Sequence, residues 1–151
     1  MKRHTTTFLK SISLIQRNTN RYFDNMLGEY QIGSGQQFFL LRIFEHNGIT
    51  MYELAQTGGY DKGTVTKAVQ KLVEQGYVEC TMDPIDKRVR HLHVTPDGMP
   101  VVERIYDIRD QWKEQLIHVF GEMEEEKIVA LLEMMAEASC IALKEIGVKK
   151  G

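Results

Sequence analysis

The sequence predicts a mainly α-helical fold with a small β-wing, a two-stranded ribbon, and further helices at both ends of the chain. Apolar residues recur at helical spacing through most of the 151 residues. The period changes to strand-like alternation only between about residues 77 and 94. The hydrophobic share of 42% and the charged share of 26% are typical of a soluble globular protein.

The first predicted helix is long and apolar on one side, and the second is rich in apolar residues between Phe38 and Phe44. The residues of this side in the first helix are spaced alternately four and three positions apart, and they are Phe8, Ile12, Ile15, Thr19, Tyr22 and Met26. This helix is expected to end at GEYQIGSG, where the glycines and Ser34 favour non-helical backbone conformations. A second helix begins near Gly35 and ends at Asn47-Gly48, because both residues tolerate the left-handed conformation that follows a helix.

Two short helices with strong start signals follow. Thr50 and Glu53 have the spacing of a capping box, in which the hydroxyl and the carboxylate each accept from a backbone N–H of the other residue. Gly58-Gly59 supplies a tight turn, Asp61 caps the next helix, and Gly76 terminates it. Two short helices joined by a glycine turn are the layout of a helix-turn-helix.

The alternating segment and two later helices complete the pattern. A strand opens at Tyr77, a turn begins at Asp83-Pro84, and a returning strand ends at Val94. Thr95-Pro96-Asp97 then starts a fifth helix with a cap, a proline at the first position and an acid at the positive end. The fifth helix is marked by Val101, Ile105, Ile108, Trp112, Leu116 and Val119, and the sixth, after Gly121, by Ile128, Leu131, Leu132, Met135, Ala138 and Ala142.

The second helix of the helix-turn-helix, Lys62 to Gln75, has one apolar side and one basic polar side. The expected inward residues are Val65, Ala68, Val69, Leu72 and Val73. The opposite face carries Lys62, Gly63, Thr66, Lys67, Gln70 and Lys71, with Thr64 at its margin. A helix fits the major groove of B-DNA, where lysine and glutamine bond to purine edges and a threonine methyl contacts thymine. This face therefore predicts contacts with bases in double-stranded DNA, and an ordinary solvated helix surface is the alternative interpretation.

The ribbon tip concentrates positive charge in a chain whose formal net charge is -2. Lys87, Arg88 and Arg90 lie within four residues there. Because residues two apart on a strand share a face, Asp86 is expected to orient the Arg88 guanidinium. A positioned arginine suits a narrow, A·T-rich minor groove, while Lys87 and Arg90 would neutralise phosphates. A merely solvated loop is the alternative interpretation of the tip.

Two stretches carry a family resemblance. DKGTVTKAVQKLVEQGYVEC followed by DPIDKRVRHLHVTPDG closely resembles the recognition helix and wing of the MarR family of bacterial transcription regulators. Asp86 and Arg88 match the Asp-x-Arg of the wing tip. The Leu-x-Val-Thr-x-x-Gly that leads into the next helix is matched by Leu92, Val94, Thr95 and Gly98. The resemblance implies a homodimer whose terminal helices intertwine and whose two winged domains grip one duplex.

The resemblance also implies a small apolar or phenolic ligand, bound in a crevice between the dimer helices and the winged domain. Aromatic candidates for this crevice are Phe38, Tyr52, Tyr22 and Trp112, and ordinary core or interface packing is the alternative interpretation of each. No residue is assigned to the ligand from the sequence.

The chain is expected to be a single MarR-like unit over residues 1–151. The winged helix-turn-helix region spans 33–98, and the dimerisation helices span 1–32 and 99–151. A helix of about 25 residues is roughly 37 Å long, whereas a compact chain of this size has a radius of gyration of about 15 Å. The protruding stripes, which include Phe8, Ile12, Ile141 and Ile146, are expected to be buried against a twofold mate.

Several classes of function are not expected. No apolar run reaches the roughly 18 residues that a membrane span needs, and no secretion signal is recognised, so the cytoplasm is the expected location. Cys80 and Cys140 match no zinc or redox spacing, and His91 and His93 are interpreted as polar ribbon residues rather than metal ligands. No catalytic grouping or phosphate-binding loop is present, so neither an enzyme nor a cofactor is predicted.

The predicted function is therefore a sequence-specific, double-stranded-DNA-binding transcription regulator. It is expected to repress as a homodimer on an inverted-repeat operator and to be released by a small ligand. The alternative is a winged-helix module that binds another protein and not DNA.

Overall fold

The computed structural model describes residues 4–148. Six α-helices and two strands follow the predicted order. The helices are α1 (His4–Met26), α2 (Ser34–Glu45), α3 (Met51–Thr57), α4 (Lys62–Glu74), α5 (Met99–Ile117) and α6 (Glu125–Glu145), and the strands are β1 (Val78–Met82) and β2 (Arg90–Val94). Single 3-10 turns lie at Gly28–Tyr30, Pro96–Gly98 and His118–Phe120. The mainly α class with a small β-wing is confirmed.

Side-chain caps fix the starts of the two short helices. The Thr50 Oγ1 accepts from the Glu53 backbone N–H at 3.1 Å, and a Glu53 carboxylate oxygen accepts from the Thr50 N–H at 3.5 Å. The Asp61 carboxylate accepts from the Thr64 N–H at 2.7 Å, and this bond lowers the pKa of Asp61. Gly76, with φ of 81°, follows the end of α4 in the left-handed conformation that favours glycine.

The core is centred on α2, which packs against α4, α5 and the base of the wing. Its fully buried side chains include Leu40, Leu41, Ile43, Leu54, Leu72, Leu92, Ile105 and Ile108. On α4 the predicted inward residues Val65, Ala68, Val69 and Leu72 are buried. The prediction for Val73 is wrong, because this side chain is 40% exposed. It follows Leu72 by about 100° around the helix, which places it at the edge of the stripe in the last turn.

The ribbon is antiparallel, with a register that runs from Val78 opposite Val94 to Met82 opposite Arg90. The segment 48–50 adds a short third edge to it, which the sequence did not predict. The Leu92 N–H donates to the Ile49 carbonyl at 2.9 Å, and the Gly48 N–H donates to the Leu92 carbonyl at 2.8 Å. The wing is thereby hydrogen-bonded to the loop between α2 and α3.

A tight contact joins the wing to α5. The Thr95 hydroxyl accepts from the Gly98 N–H at 3.1 Å, and the Thr95 N–H donates to the Tyr77 carbonyl at 3.0 Å. A Cβ on Gly98 would collide with that same carbonyl, so the glycine is required for close approach and not for an unusual φ. The predicted helix start at Pro96 is a 3-10 turn, and α5 follows from Met99.

The outer helices leave large apolar surfaces uncovered. Ile128 is the one residue of α6 that is buried. The exposed side chains include Phe8, Leu9, Ile12 and Ile15 on α1 and Leu131, Leu132, Met134, Ile141 and Leu143 on α6. The predicted dimerisation segments also include residues 1–3 and 149–151, which lie outside the described residues. Between residues 4 and 148, no helix is both long enough and apolar enough to cross a membrane.

Candidate nucleic-acid interface

The outer face of α4 is free of the core along its whole length. All seven residues that the sequence assigned to it are exposed, namely Lys62, Gly63, Thr64, Thr66, Lys67, Gln70 and Lys71. The Thr66 hydroxyl donates to the Lys62 carbonyl at 2.8 Å, so it is satisfied within the helix. The Asp61 cap adds one negative charge at the helix start, and it lies near enough to Lys67 for that lysine to lower the pKa of Asp61 further.

Asp83 organises the turn at the wing tip. One of its carboxylate oxygens accepts from the backbone N–H groups of Ile85 and Asp86, each at 2.9 Å. The hydrogen bond from the Asp86 N–H is the largest of the causes that lower the pKa of Asp83 to about 2, followed by the His91 side chain. The turn closes through the Asp83 N–H, which donates to the Val89 carbonyl at 3.0 Å.

Asp86 grips the Arg88 guanidinium with both carboxylate oxygens. The Arg88 Nε lies 3.1 Å from Asp86 Oδ1, and Nη2 lies 3.2 Å from Oδ2. The same Oδ1 also accepts from the Arg88 backbone N–H at 3.0 Å. The Arg88 side chain is nevertheless 91% exposed, so its position is fixed while its outer edge stays open to solvent. The bond to the Arg88 side chain lowers the pKa of Asp86.

The expected Asp86–Arg88 pair is present, but the reason given for it is wrong. Both residues lie in the turn between Met82 and Arg90 and not on a strand. An Asx-type turn, in which the aspartate bonds to the backbone two residues later, brings the two side chains together instead. Lys87 is exposed on the same turn, and the Arg90 guanidinium donates to the Lys87 carbonyl at 2.6 Å.

A groove of about 870 Å³ joins α3, α4 and the wing. Lys62 and Thr66 from α4 line it together with Arg88 and Arg90 from the wing. The structure thus brings together two sets of residues that the sequence placed on separate elements. The groove is also lined by Thr50, Met51, Tyr52, Ala55, Gln56, Tyr60, Asp61, Val65 and Val89.

Sequence reasoning missed that α3 borders this surface. The available signal was Tyr52, a large aromatic residue on the polar side of a short capped helix, which is 75% exposed. Of the other aromatic candidates for a ligand crevice, Tyr22 stacks on Trp112 with ring centroids 4.6 Å apart. Phe38 packs against Phe39, with centroids 5.3 Å apart. Of the four aromatic candidates, Tyr52 alone lines the groove between α3, α4 and the wing.

The rings of His91 and His93, the two histidines of β2, are hydrogen-bonded to oxygen atoms of the protein. Cys80 pairs with Leu92 in the register, so it lies on the opposite face of the ribbon from His91 and His93. No group of three or more metal-binding side chains is found in the part of the chain that the structure covers, residues 4 to 148.

Comparison with known proteins identifies the family. The MarR family model matches residues 34–89, from the start of α2 to the end of the wing turn. A MarR protein from Peptoclostridium difficile is 31% identical, and the match covers 97% of this chain and 95% of that one with a TM-score of 0.86. The chain belongs to the MarR family.

Two further comparisons, one of sequence and one of fold, are consistent with this assignment. The HTH-type transcriptional regulator BilQ of Clostridioides difficile is 25% identical over 123 residues, which are 82% of this chain and 83% of that protein. The fold also matches that of Staphylococcus aureus MepR in a DNA complex, at 21% identity and a TM-score of 0.77, over 87% of this chain and 96% of that one. The chain is therefore a winged helix-turn-helix transcription regulator of the DNA-binding class, and not an enzyme.

Proposed function

We propose that this MarR-family regulator represses transcription as a homodimer bound to an inverted-repeat operator. The observation that carries the proposal is the shared groove, because Lys62 and Thr66 of the α4 face and the Asp86-held Arg88 line it together. A basic side chain that only keeps a surface solvated does not have to be held in one orientation. Arg88 is held by Asp86 although its side chain is 91% exposed, which favours a binding role. The S. aureus MepR structure shows that this fold is compatible with bound DNA in that protein.

Each part of the surface has a distinct role in the proposal. The α4 face, made of Lys62, Gly63, Thr64, Thr66, Lys67, Gln70 and Lys71, enters the major groove and contacts bases and flanking phosphates. Arg88, oriented by Asp86, enters the adjacent minor groove, where A·T-rich sequence strengthens the negative potential. Lys87 and Arg90 contribute mainly phosphate neutralisation, which is not specific for sequence.

The proposed homodimer follows from the apolar surfaces of α1 and α6. Ile12 and Ile141 are 48% and 51% exposed, and α6 buries Ile128 alone. Patches of this kind on helices that protrude from the core are typical of subunit interfaces. A twofold mate would set two recognition helices about one helical turn, or roughly 10 base pairs, apart, so the operator is an inverted repeat.

Salt dependence of binding tests the proposal. In a band-shift or anisotropy titration, we expect the protein to bind a random-sequence 30-base-pair duplex at low salt. Lys71→Ala should reduce the slope of log affinity against log salt by about 0.9 for each lost phosphate contact, or about 2 per dimer. Lys10→Ala, on a polar side of α1, serves as a control that removes one exposed lysine away from the groove. A slope that Lys71→Ala leaves unchanged would contradict this role for the α4 face.

The alternative, a winged-helix module that binds only another protein, makes the opposite prediction. Such a module would give no band shift with any duplex at low salt, even when folded and dimeric. The wild-type titration therefore separates the two functions before any variant is made.

The ligand-release part of the proposal is supported by an arginine cluster between α2 and α5. The Arg42 guanidinium lies 5.1 Å from the centre of the Phe38 ring and is paired with Glu45 at 2.6 Å. Its Nε is buried and has no hydrogen-bond partner among residues 4–148. Arg109 donates to Gln37 at 3.1 Å, and burial, followed by the charge of Arg42, lowers the pKa of Arg109. Two neighbouring guanidinium groups beside an aromatic ring suit a phenolic ligand in its anionic form.

A ligand panel tests this site. We expect substituted phenols to raise the melting temperature and to weaken duplex binding, because a ligand changes DNA affinity only when it prefers one dimer shape. Arg42→Met, which keeps an unbranched apolar stem without the charge, should abolish both effects. Equal responses to phenols by wild type and by this variant would place the ligand elsewhere.

A further inference from the structure

The His91 ring lies between two oxygen atoms that carry no proton. Its Nδ1 is 2.9 Å from the Gly48 carbonyl oxygen, and its Nε2 is 2.9 Å from the second carboxylate oxygen of Asp83. A backbone carbonyl and an ionised carboxylate only accept hydrogen bonds. Both ring nitrogens must therefore donate, and a ring that donates from both nitrogens is the positively charged imidazolium.

The ring joins the body of the winged domain to the wing tip. Gly48 belongs to the segment 48–50, which is hydrogen-bonded to β2 beside the buried Leu92. Asp83 uses its other oxygen to hold the Ile85 and Asp86 N–H groups, and Asp86 in turn holds Arg88. A continuous series of charge-assisted hydrogen bonds thus runs from the α2–α3 loop to the proposed minor-groove arginine.

We propose that His91, in its imidazolium form, is a positioning residue for DNA binding, and that loss of its proton at alkaline pH loosens the wing tip and weakens binding. This inference rests on the proposed function, because it needs Arg88 to act on DNA. A neutral ring would present a lone pair to one of the two oxygens and would lose that hydrogen bond. The Asp83 carboxylate would then keep its backbone bonds but lose its tie to the α2–α3 loop.

The charges around the ring favour the protonated form. Asp83 faces it from the wing turn and Glu53 from α3, whereas Gly48 of the α2–α3 loop contributes its carbonyl dipole. Opposite His91 on β1 stands the uncharged Thr81, and Arg90 and His93 are its neighbours on β2. The hydrogen bond to Asp83, followed by the one to Gly48, raises the pKa of His91 above its usual 6.5.

The direction of the pH effect follows from these shifts. For His91 the stabilisation is fully present below pH 6.5 and is lost as pH rises through the elevated pKa of the folded state. For Asp83 the stabilisation is present above its ordinary pKa of 3.8 and is lost as pH falls towards about 2. The wing tip is therefore most firmly held from mildly acidic to near-neutral pH.

His93 provides an internal control on the same strand. Its ring nitrogens lie 3.2 Å from the Asn47 side-chain oxygen and 3.3 Å from the Thr81 hydroxyl oxygen. A hydroxyl group either donates or accepts, so a neutral ring satisfies these contacts. Replacing His93 changes a second histidine of β2 without breaking the path from Gly48 to Arg88.

Duplex binding as a function of pH tests the inference. The probe is a fluorescein-labelled, A·T-rich 30-base-pair duplex, measured by anisotropy at constant ionic strength. Wild-type affinity should fall about tenfold between about pH 6 and pH 8.5, the size of one charge-assisted hydrogen bond. His91→Gln should bind about tenfold more weakly at about pH 6 and lose this pH dependence, whereas His93→Gln should keep the wild-type profile. Asp83→Asn, which keeps the shape of the side chain, should weaken binding and flatten the profile as well.

Nuclear magnetic resonance of the wild-type protein tests the protonation state without DNA. We expect the nitrogen shifts of the His91 ring to keep the imidazolium pattern to a higher pH than those of a free histidine, and a ring that becomes neutral no later than free histidine would overturn the inference. If wild type binds DNA and His91→Gln retains its pH profile, His91 has no positioning role. If wild type binds no duplex at any pH, the proposed function fails, and this role for His91 fails with it. Circular dichroism of each variant distinguishes a loosened wing from an unfolded chain.

Discussion

Replacing Arg88 with alanine is expected to weaken operator binding by on the order of 100-fold, because each dimer would lose two oriented contacts worth about 1.4 kcal/mol each. The side chain is almost fully exposed, so the loss is expected to fall on binding and not on folding. Anisotropy titrations at fixed salt, together with thermal melts, measure the two effects separately. Unchanged affinity for A·T-rich duplexes would count heavily against a minor-groove role.

Two companion variants separate charge from orientation. Arg88→Lys keeps the positive charge but lacks the forked guanidinium that Asp86 holds through Nε and Nη2. Asp86→Asn keeps Arg88 but weakens the hydrogen bonds that orient its guanidinium. Both are expected to retain salt-dependent binding while losing preference for A·T-rich flanks. Lys10→Ala, on a polar side of α1, is the matched control for loss of one exposed cation.

Placing aspartate at Ile12 and at Ile141 together is expected to produce monomers and to reduce operator affinity by about 1,000-fold. The side chains are about half exposed, on α1 and α6, and a buried carboxylate at a subunit interface has a high desolvation cost. A monomer binds one half-site only and loses the effective concentration, in the millimolar range, that joins the two sites of a dimer. Sedimentation measures the mass, and anisotropy measures the affinity.

The control for this variant places the same charge off the apolar stripe. Lys10→Asp adds a carboxylate to α1 two residues before Ile12 and should leave the dimer intact. The buried core of α2, α4 and α5 does not include Ile12 or Ile141, so the double variant should keep its helical spectrum. A double variant that remains dimeric and binds its operator as tightly as wild type would rule out α1 and α6 as the interface.

The parts of the fold that depend on short-range chemistry were predictable from the sequence. The Thr50–Glu53 capping box and the Asp61 cap involve residues three apart, and both have the expected hydrogen bonds. The exposed face of α4 followed from helical periodicity alone, with Val73 as the error at its edge. Patterns of this kind are local, so one sequence is enough to identify them.

Contacts between distant residues were not predictable in the same way. The His91 ring bonds to Gly48, 43 residues earlier, and Trp112 donates to Thr19, 93 residues earlier. Asp24 of α1 accepts from the Ser34 N–H at 2.7 Å and so caps α2, whose own N-cap position is a glycine. Such pairs depend on how the elements pack, and neither periodicity nor spacing specifies that packing. The Asp86–Arg88 pair was predicted, but a turn and not a strand produces it.

The near absence of a buried face on α6 has a consequence for the life of the regulator in the cell. In the proposed homodimer this helix would be covered only through association, so its protection from proteases would depend on the amount of protein present. Newly made chains at low abundance would be degraded faster than established dimers. The regulator would then take effect above a threshold of synthesis, and its occupancy of an operator would respond steeply to changes in expression.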